Sequence, residues 1–287
     1  KRVASASSNG EKRSFATATA SLENETLSLY RKYTPFGSIS RKARKTLRTH
    51  LEKHLLSTDS AKLQQALMAR QTPIEHTLWK ICSYQVIEAF RKQLKRRQTK
   101  LMLSSDALAT QKYQQVNEKF RQFLSDSSRY YTLLIERFKT THQLDFDATP
   151  SLCTQQALES FGAPRLFLCV HRFFVCLGDL ARYRQHLTDE SLEQKRAWIG
   201  KATMFYKKAC HVFPYHGSAH NQLGVIALAQ KNHIRAFYEY VRALCSLLPN
   251  SSSRGNFIFA VGLLAKRSPT TTIRSPTQTS TTTIRSP

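Results

Sequence analysis

Arg182, within the segment ARYR, is the residue whose type and setting could do the most specific chemistry in this chain. On a helix it shares a stripe with Leu168, His171, Val175 and Gly178, away from the stripe of Leu166 and Leu177. A guanidinium held beside Tyr183 suits a phosphoserine, because its planar fork of donors matches two phosphate oxygens at once. An ion pair with Asp179 or Glu159 is the other use of the same group.

Two basic runs, RKARKTLR at 41–48 and RKQLKRRQTK at 91–100, could also touch phosphates. They lack the interleaved aromatics on which bases stack, so a solvated charged face is the plainer reading. His50 and His54, like His216 and His220, stand at i,i+4, yet no Cys or carboxylate set accompanies either pair as a zinc site would need. Glycine-rich phosphate loops, nucleophile elbows, HExxH motifs and paired acid/base carboxylates are missing from the sequence. The chain therefore reads as a non-catalytic interaction domain with no cofactor or metal.

The elements that must position these residues are helices. Apolar residues recur at helical spacing, with few glycines or prolines and no alternating β-branched runs, which predicts an all-α fold. Helices are expected near 22–33, 40–57, 60–71, 73–98, 108–141, 152–186, 190–212, 217–230 and 233–247. The segment 166–184 is apolar nearly all round and should lie at the centre of its bundle. Residues 1–20 lack periodicity and are expected to be disordered, 21–265 to form the helical domain, and 266–287 a low-complexity tail repeating TTTIRSP.

Self-comparison at the tetratricopeptide period aligns Ala202 with Ala236, Tyr206 with Tyr240 and Ala209 with Ala243. Leu177-Gly178 and Leu223-Gly224 stand where that repeat places Leu-Gly, and extra residues around Thr188–Arg196 interrupt the first unit. The alanines and tyrosines should be buried where paired helices cross. Two such units need neighbours to cover their faces, so they should dock on the N-terminal bundle.

The net charge of +25 draws polyanions such as nucleic acid, acidic peptides or phosphorylated segments. No apolar stretch is long enough to span a membrane, and the first residues carry no apolar signal-peptide core. The chain begins at Lys1 without Met, as a fragment would. Its six scattered cysteines fit a reducing, intracellular compartment.

The segments LCVHRFFVCLGDLARYRQ and FYKKACHVFPYHGSAHNQLGVIALAQKNHIRAFYEYVRAL resemble the ever-shorter-telomeres family, which includes the adaptors of nonsense-mediated mRNA decay. LWKICSYQVIEAF at 78–90 and YYTLLIERF at 130–138 extend the resemblance upstream. It implies a 14-3-3-like antiparallel helical domain with tetratricopeptide-like repeats, whose groove receives phosphorylated Ser or Thr segments of the up-frameshift RNA helicase and recruits decay or dephosphorylation factors. Arg182 matches the family's phosphate-binding Arg. Its second phosphate ligand, a Lys, falls at Tyr84, with Lys80 one turn earlier and Arg91 as substitutes. Asn221 matches a residue that bonds the peptide backbone. The resemblance further implies a paralogous adaptor as heterodimer partner and a cytoplasmic location with nuclear passage. A telomerase-associated, RNA-binding subunit is the alternative.

Overall fold

The computed structural model describes residues 2–68, 73–103, 107–147, 162–187 and 191–265. The low-complexity tail and the first part of the helix expected over 152–186 lie outside them. Every named element among the described residues is helical: α1 (Arg2–Lys32), α2 (Ser38–Leu55), α3 (Ser60–Met68), α4 (Ile74–Trp79), α5 (Gln85–Leu103), α6 (Ala107–Thr141), α7 (Ala163–Gln185), α8 (Leu192–Val212), α9 (Ser218–Ala229), α10 (His233–Leu244) and α11 (Ser253–Ala265).

At the N-terminus α1 begins at Arg2, within the residues that lack periodicity in the sequence. The Ala- and Ser-rich sequence gives no apolar stripe to announce it, so a tertiary contact supplies the anchor. Phe15 is buried with its ring 4.1 Å from that of His54 and 5.5 Å from that of His50. The Thr19 hydroxyl lies 3.0 Å from His50 Nε2. His50 and His54 are thus packing groups, and burial, then His50 and nearby lysines, pull the His54 pKa down to about 4.

The helix expected over 73–98 starts directly after Pro73, whose missing N–H costs nothing there. A π-turn over Lys80–Tyr84 joins α4 to α5. It widens the helix by part of a turn and resets the register of all that follows. Ile81, Cys82 and Ser83 point inward, and the Tyr30 hydroxyl of α1 donates to the Ile81 carbonyl at 3.0 Å.

α7 is the central helix. Its buried side chains surround it, Phe173 and Leu180 among them, as its near-continuous apolar sequence requires. On one side Phe173 meets Tyr131 and Phe138 of α6, with centroids 6.1 and 5.9 Å apart. On another, Arg172 pairs with the deeply buried Glu75 of α4. Each fully buried aromatic of this kind contributes roughly 1.5–3 kcal/mol over its exposed state.

The C-terminal part is two helical pairs, α7 with α8 and α9 with α10, followed by α11. The repeat is visible as one contact made twice. A β-carbon on Gly178 would lie 2.3 Å from Cε1 of Tyr206, and one on Gly224 would lie 2.5 Å from Cε1 of Tyr240. Ala202, Ala209, Ala236 and Ala243, with both tyrosines, are fully buried. Small residues let the backbones approach and the aromatic of the partner helix fills the gap. Between the pairs, Gly217 N–H donates to the Leu248 carbonyl and Leu248 N–H to the Tyr215 carbonyl, both at 2.9 Å.

Candidate functional site

Arg182 lies in the last turn of α7, where the Leu168, His171, Gly178 stripe forms the crossing with α8. His171 Nδ1–H donates to the Ala209 carbonyl at 2.9 Å and Gly178 accepts the Tyr206 ring, so Arg182 stands at the end of that crossing. Its Nη2 donates to Asp179 Oδ1 at 3.0 Å and its Nε to the Tyr206 hydroxyl at 3.4 Å. The Tyr206 hydroxyl in turn donates to Asp179 Oδ1 at 2.7 Å. Burial works against the guanidinium charge, but Asp179 and Tyr206 outweigh it and raise the pKa of Arg182 above its ordinary value. The group is a fixed cation whose Nη1 remains without a partner among the described residues.

Tyr183, the next residue, gathers the rest. The guanidinium of Arg182 lies 5.0 Å from its ring centroid and that of Arg91, from α5, lies 5.5 Å away. Burial first, then Asp179, pushes the Tyr183 pKa up to about 12, with Arg182, Tyr84 and Arg91 also close enough to act on it. Two arginines from different helices therefore converge on one ring, each with cation–π geometry.

In front of this ring runs a groove of about 450 Å³ between α5, α6 and the end of α7. Arg91, Lys92 and Lys95 form one wall, Tyr113 and Phe120 the other, and Tyr183, His186 and Leu187 the end. Glu88 is the one carboxylate among the lining residues, and it accepts from Arg91 at 2.6 Å. Burial, then the fields of Arg182, Arg91 and Lys195, lowers the pKa of His186, so the groove is held positive by arginine and lysine and not by histidine. Such a surface favours an anionic group that can bind several donors.

The structure brings Arg182, Tyr183 and Arg91 together, and the field of Tyr84 reaches Tyr183. Lys80 is exposed on the π-turn, without an ion pair or hydrogen bond among the described residues, and its field is felt at His76 together with that of Arg172. Asn221 is buried on α9, where its Oδ1 accepts from the Ser253 hydroxyl and from Asn256 Nδ2 of α11, both at 3.0 Å. Its carbonyl oxygen is thus committed to holding α11 in place.

The basic runs divide. In the first, Arg44 is buried and donates to the Pro35 carbonyl at 2.7 Å, and Arg48 lies 4.3 Å from the Tyr130 centroid, so both serve packing. The second runs along the groove wall through Arg91, Lys92 and Lys95. The ion pair with Asp179 that the sequence offered as the other use of Arg182 is present at 3.0 Å. What the sequence did not show is Tyr206 as the second holder. The spacing Asp179, Arg182 at i,i+3 signalled the pair, and Tyr206 comes from another helix.

Two adjacent family models match the chain and together cover more than half of it: "Telomerase activating protein Est1" over residues 73–188 and "Est1 DNA/RNA binding domain" over 202–261. The nonsense-mediated mRNA decay factor SMG7 of Arabidopsis thaliana is 25% identical over 213 residues, covering 69% of this chain and 20% of its own length. Telomerase-binding protein EST1A of Danio rerio is 27% identical over 177 residues, covering 61% of this chain and 10% of its own. The chain spans a fifth or less of these relatives. Among solved structures, that of Est1 and Cdc13 superposes with a TM-score of 0.56 at 18% identity, over 83% of this chain and 45% of that one. The architecture is accordingly all-α and 14-3-3-like, with tetratricopeptide-like pairs.

Proposed function

Because the chain belongs to the Est1 family, we propose that it is a non-catalytic adaptor of nonsense-mediated mRNA decay whose groove binds a phosphorylated Ser or Thr segment. The observation that carries this reading is the convergence of Arg91 and Arg182 on Tyr183, at 5.5 and 5.0 Å from one ring. A phosphate at the ring edge takes up the free Nη1 of Arg182 and the outward donors of Arg91, while Asp179 and Tyr206 keep Arg182 from swinging away. The tyrosine hydroxyl, kept protonated at neutral pH, is a further donor. Lys80, exposed on the π-turn, is a further cation offered to the flanking peptide.

The phosphorylated up-frameshift RNA helicase is the proposed ligand, a paralogous adaptor the proposed heterodimer partner, and the cytoplasm with nuclear passage the proposed location. Names such as decay factor SMG7 among the relatives support this reading. A second reading, a telomerase-associated nucleic-acid-binding subunit, draws on the description of the model matched over 202–261 and on the charge of +25. Side-by-side titration with a phosphorylated helicase peptide, its unphosphorylated twin and single-stranded RNA separates them. A preference for the phosphorylated peptide that vanishes in Arg182→Glu supports the adaptor. Equal affinity for both peptides with salt-steep RNA binding supports the alternative.

A further inference from the structure

A second groove lies on the helical repeats, apart from Tyr183 and on the side of α9 opposite Asn221, since residues two, five and six positions later point roughly the other way. Leu223, Ile226 and Ala227 of α9 form its floor, with Ile199 of α8 beside them. It holds about 460 Å³, room for one or two aliphatic side chains. Three cations rim it, Arg196 and Lys207 from α8 and Arg235 from the first turn of α10, and no carboxylate is among its lining residues. Arg196 and Lys207 have no ion-pair partner among the described residues. Arg235 gives one bond, 3.2 Å, to Glu239, whose other oxygen lies 2.8 Å from His220 Nδ1, and the Arg235 side chain stays half exposed.

Gly200 lies in this groove, and a β-carbon there would meet nothing within 4 Å. Glycine in a helix interior costs roughly 0.5–1 kcal/mol against alanine. At Gly178 and Gly224 the packing of a tyrosine explains the residue, whereas at Gly200, as at Gly255 and Gly262 of α11, no described residue fills the space.

We propose that this groove is a docking site for an acidic amphipathic peptide, a helix that sets aliphatic side chains on the floor and Asp or Glu against Arg196, Lys207 and Arg235. Charge selects the occupant. The chain's own tail over 266–287 has lysine and arginine and no acid, and a second copy carries the same +25, so both are repelled. Nucleic acid is the poorer fit, because the lining offers aliphatic surface and no aromatic ring for a base to stack on.

The test uses the whole chain and a fluorescein-labelled peptide with Glu and Leu at helical spacing, its Leu→Ser twin, and an oligouridylate, read by anisotropy. Saturable binding of the Leu peptide is expected, about tenfold weaker or worse for the Ser twin. Gly200→Leu should fill the groove and weaken peptide binding by about tenfold or more, with the thermal midpoint unchanged or raised. Lys207→Glu with Arg196→Glu, both on exposed positions, should do the same without touching the floor. Arg182→Glu should leave this binding intact, which separates it from the phosphopeptide reading. Undiminished peptide binding in the double charge reversal or in a folded Gly200→Leu protein overturns the proposal. So does an absence of saturable peptide binding, or oligouridylate binding that Gly200→Leu removes.

Discussion

The ring of Tyr206 occupies the space that a β-carbon on Gly178 would need, with Cε1 only 2.3 Å from that position. The same ring carries the hydroxyl that joins Asp179 to Arg182, so packing at the α7–α8 crossing and the charge at the candidate site depend on one residue.

Gly178→Ala should therefore destabilise the protein although alanine is the better helix former. Overpacking of a rigid crossing costs roughly 1–3 kcal/mol, against a gain of about 0.5–1 kcal/mol in propensity. Gly200→Ala, with open space around it, should stabilise by about that gain. Denaturant unfolding of the two variants must give opposite signs.

Ala236→Leu tests the second crossing. Ala236 is fully buried beside Tyr240, and a larger side chain should lower stability by roughly 1–3 kcal/mol. A thermal midpoint equal to that of the unaltered protein would contradict the repeat packing.

At the candidate site, Arg182→Lys should keep a positive charge but lose the fork that holds Asp179 and Tyr206. Phosphopeptide affinity should fall by about tenfold or more, since each charged hydrogen bond is worth about 1.5–3 kcal/mol, while RNA affinity changes little. Arg91→Ala, on an exposed side chain, should weaken the same peptide without much effect on stability. If both variants bind the phosphorylated peptide normally, the Tyr183 groove is not its site.

Acid should destabilise the fold through buried histidines. Burial, then His216, pulls the His171 pKa down to about 3, and burial, then Arg172, brings that of His216 down to about 4. Both are neutral in the fold, so the unfolded chain takes up protons that the fold refuses as pH falls below about 6.5. Stability is unaffected by these groups above that pH and is lost progressively toward their folded values. The slope is about 1.4 kcal/mol per pH unit per histidine at most, and with the rings 5.0 Å apart the two titrate as a pair. Urea unfolding between about pH 7 and pH 5 should show this decline, and His171→Gln should flatten it.

The sequence by itself determined the helical class, the central role of α7 and the repeat. Each rests on a period within one element, and the recurrence of Ala and Tyr at a fixed spacing fixed which residues meet at a crossing. The Arg182-Tyr183 pair was legible for the same reason, as neighbours on one helix. Tertiary structure alone decided the rest. Phe15 has no apolar stripe around it, so only the rings of His50 and His54 reveal why α1 is anchored at that residue. Arg91 meets Tyr183 across two helices far apart in sequence, and the π-turn at Lys80–Tyr84 ahead of α5 is an offset of part of a turn that no 3.6-residue pattern predicts. Asn221 faces Ser253 and Asn256 because α11, packed mainly on α10, sets its first turn against α9, and which face of a helix a later helix covers depends on packing angles between elements, not on the residues of either alone.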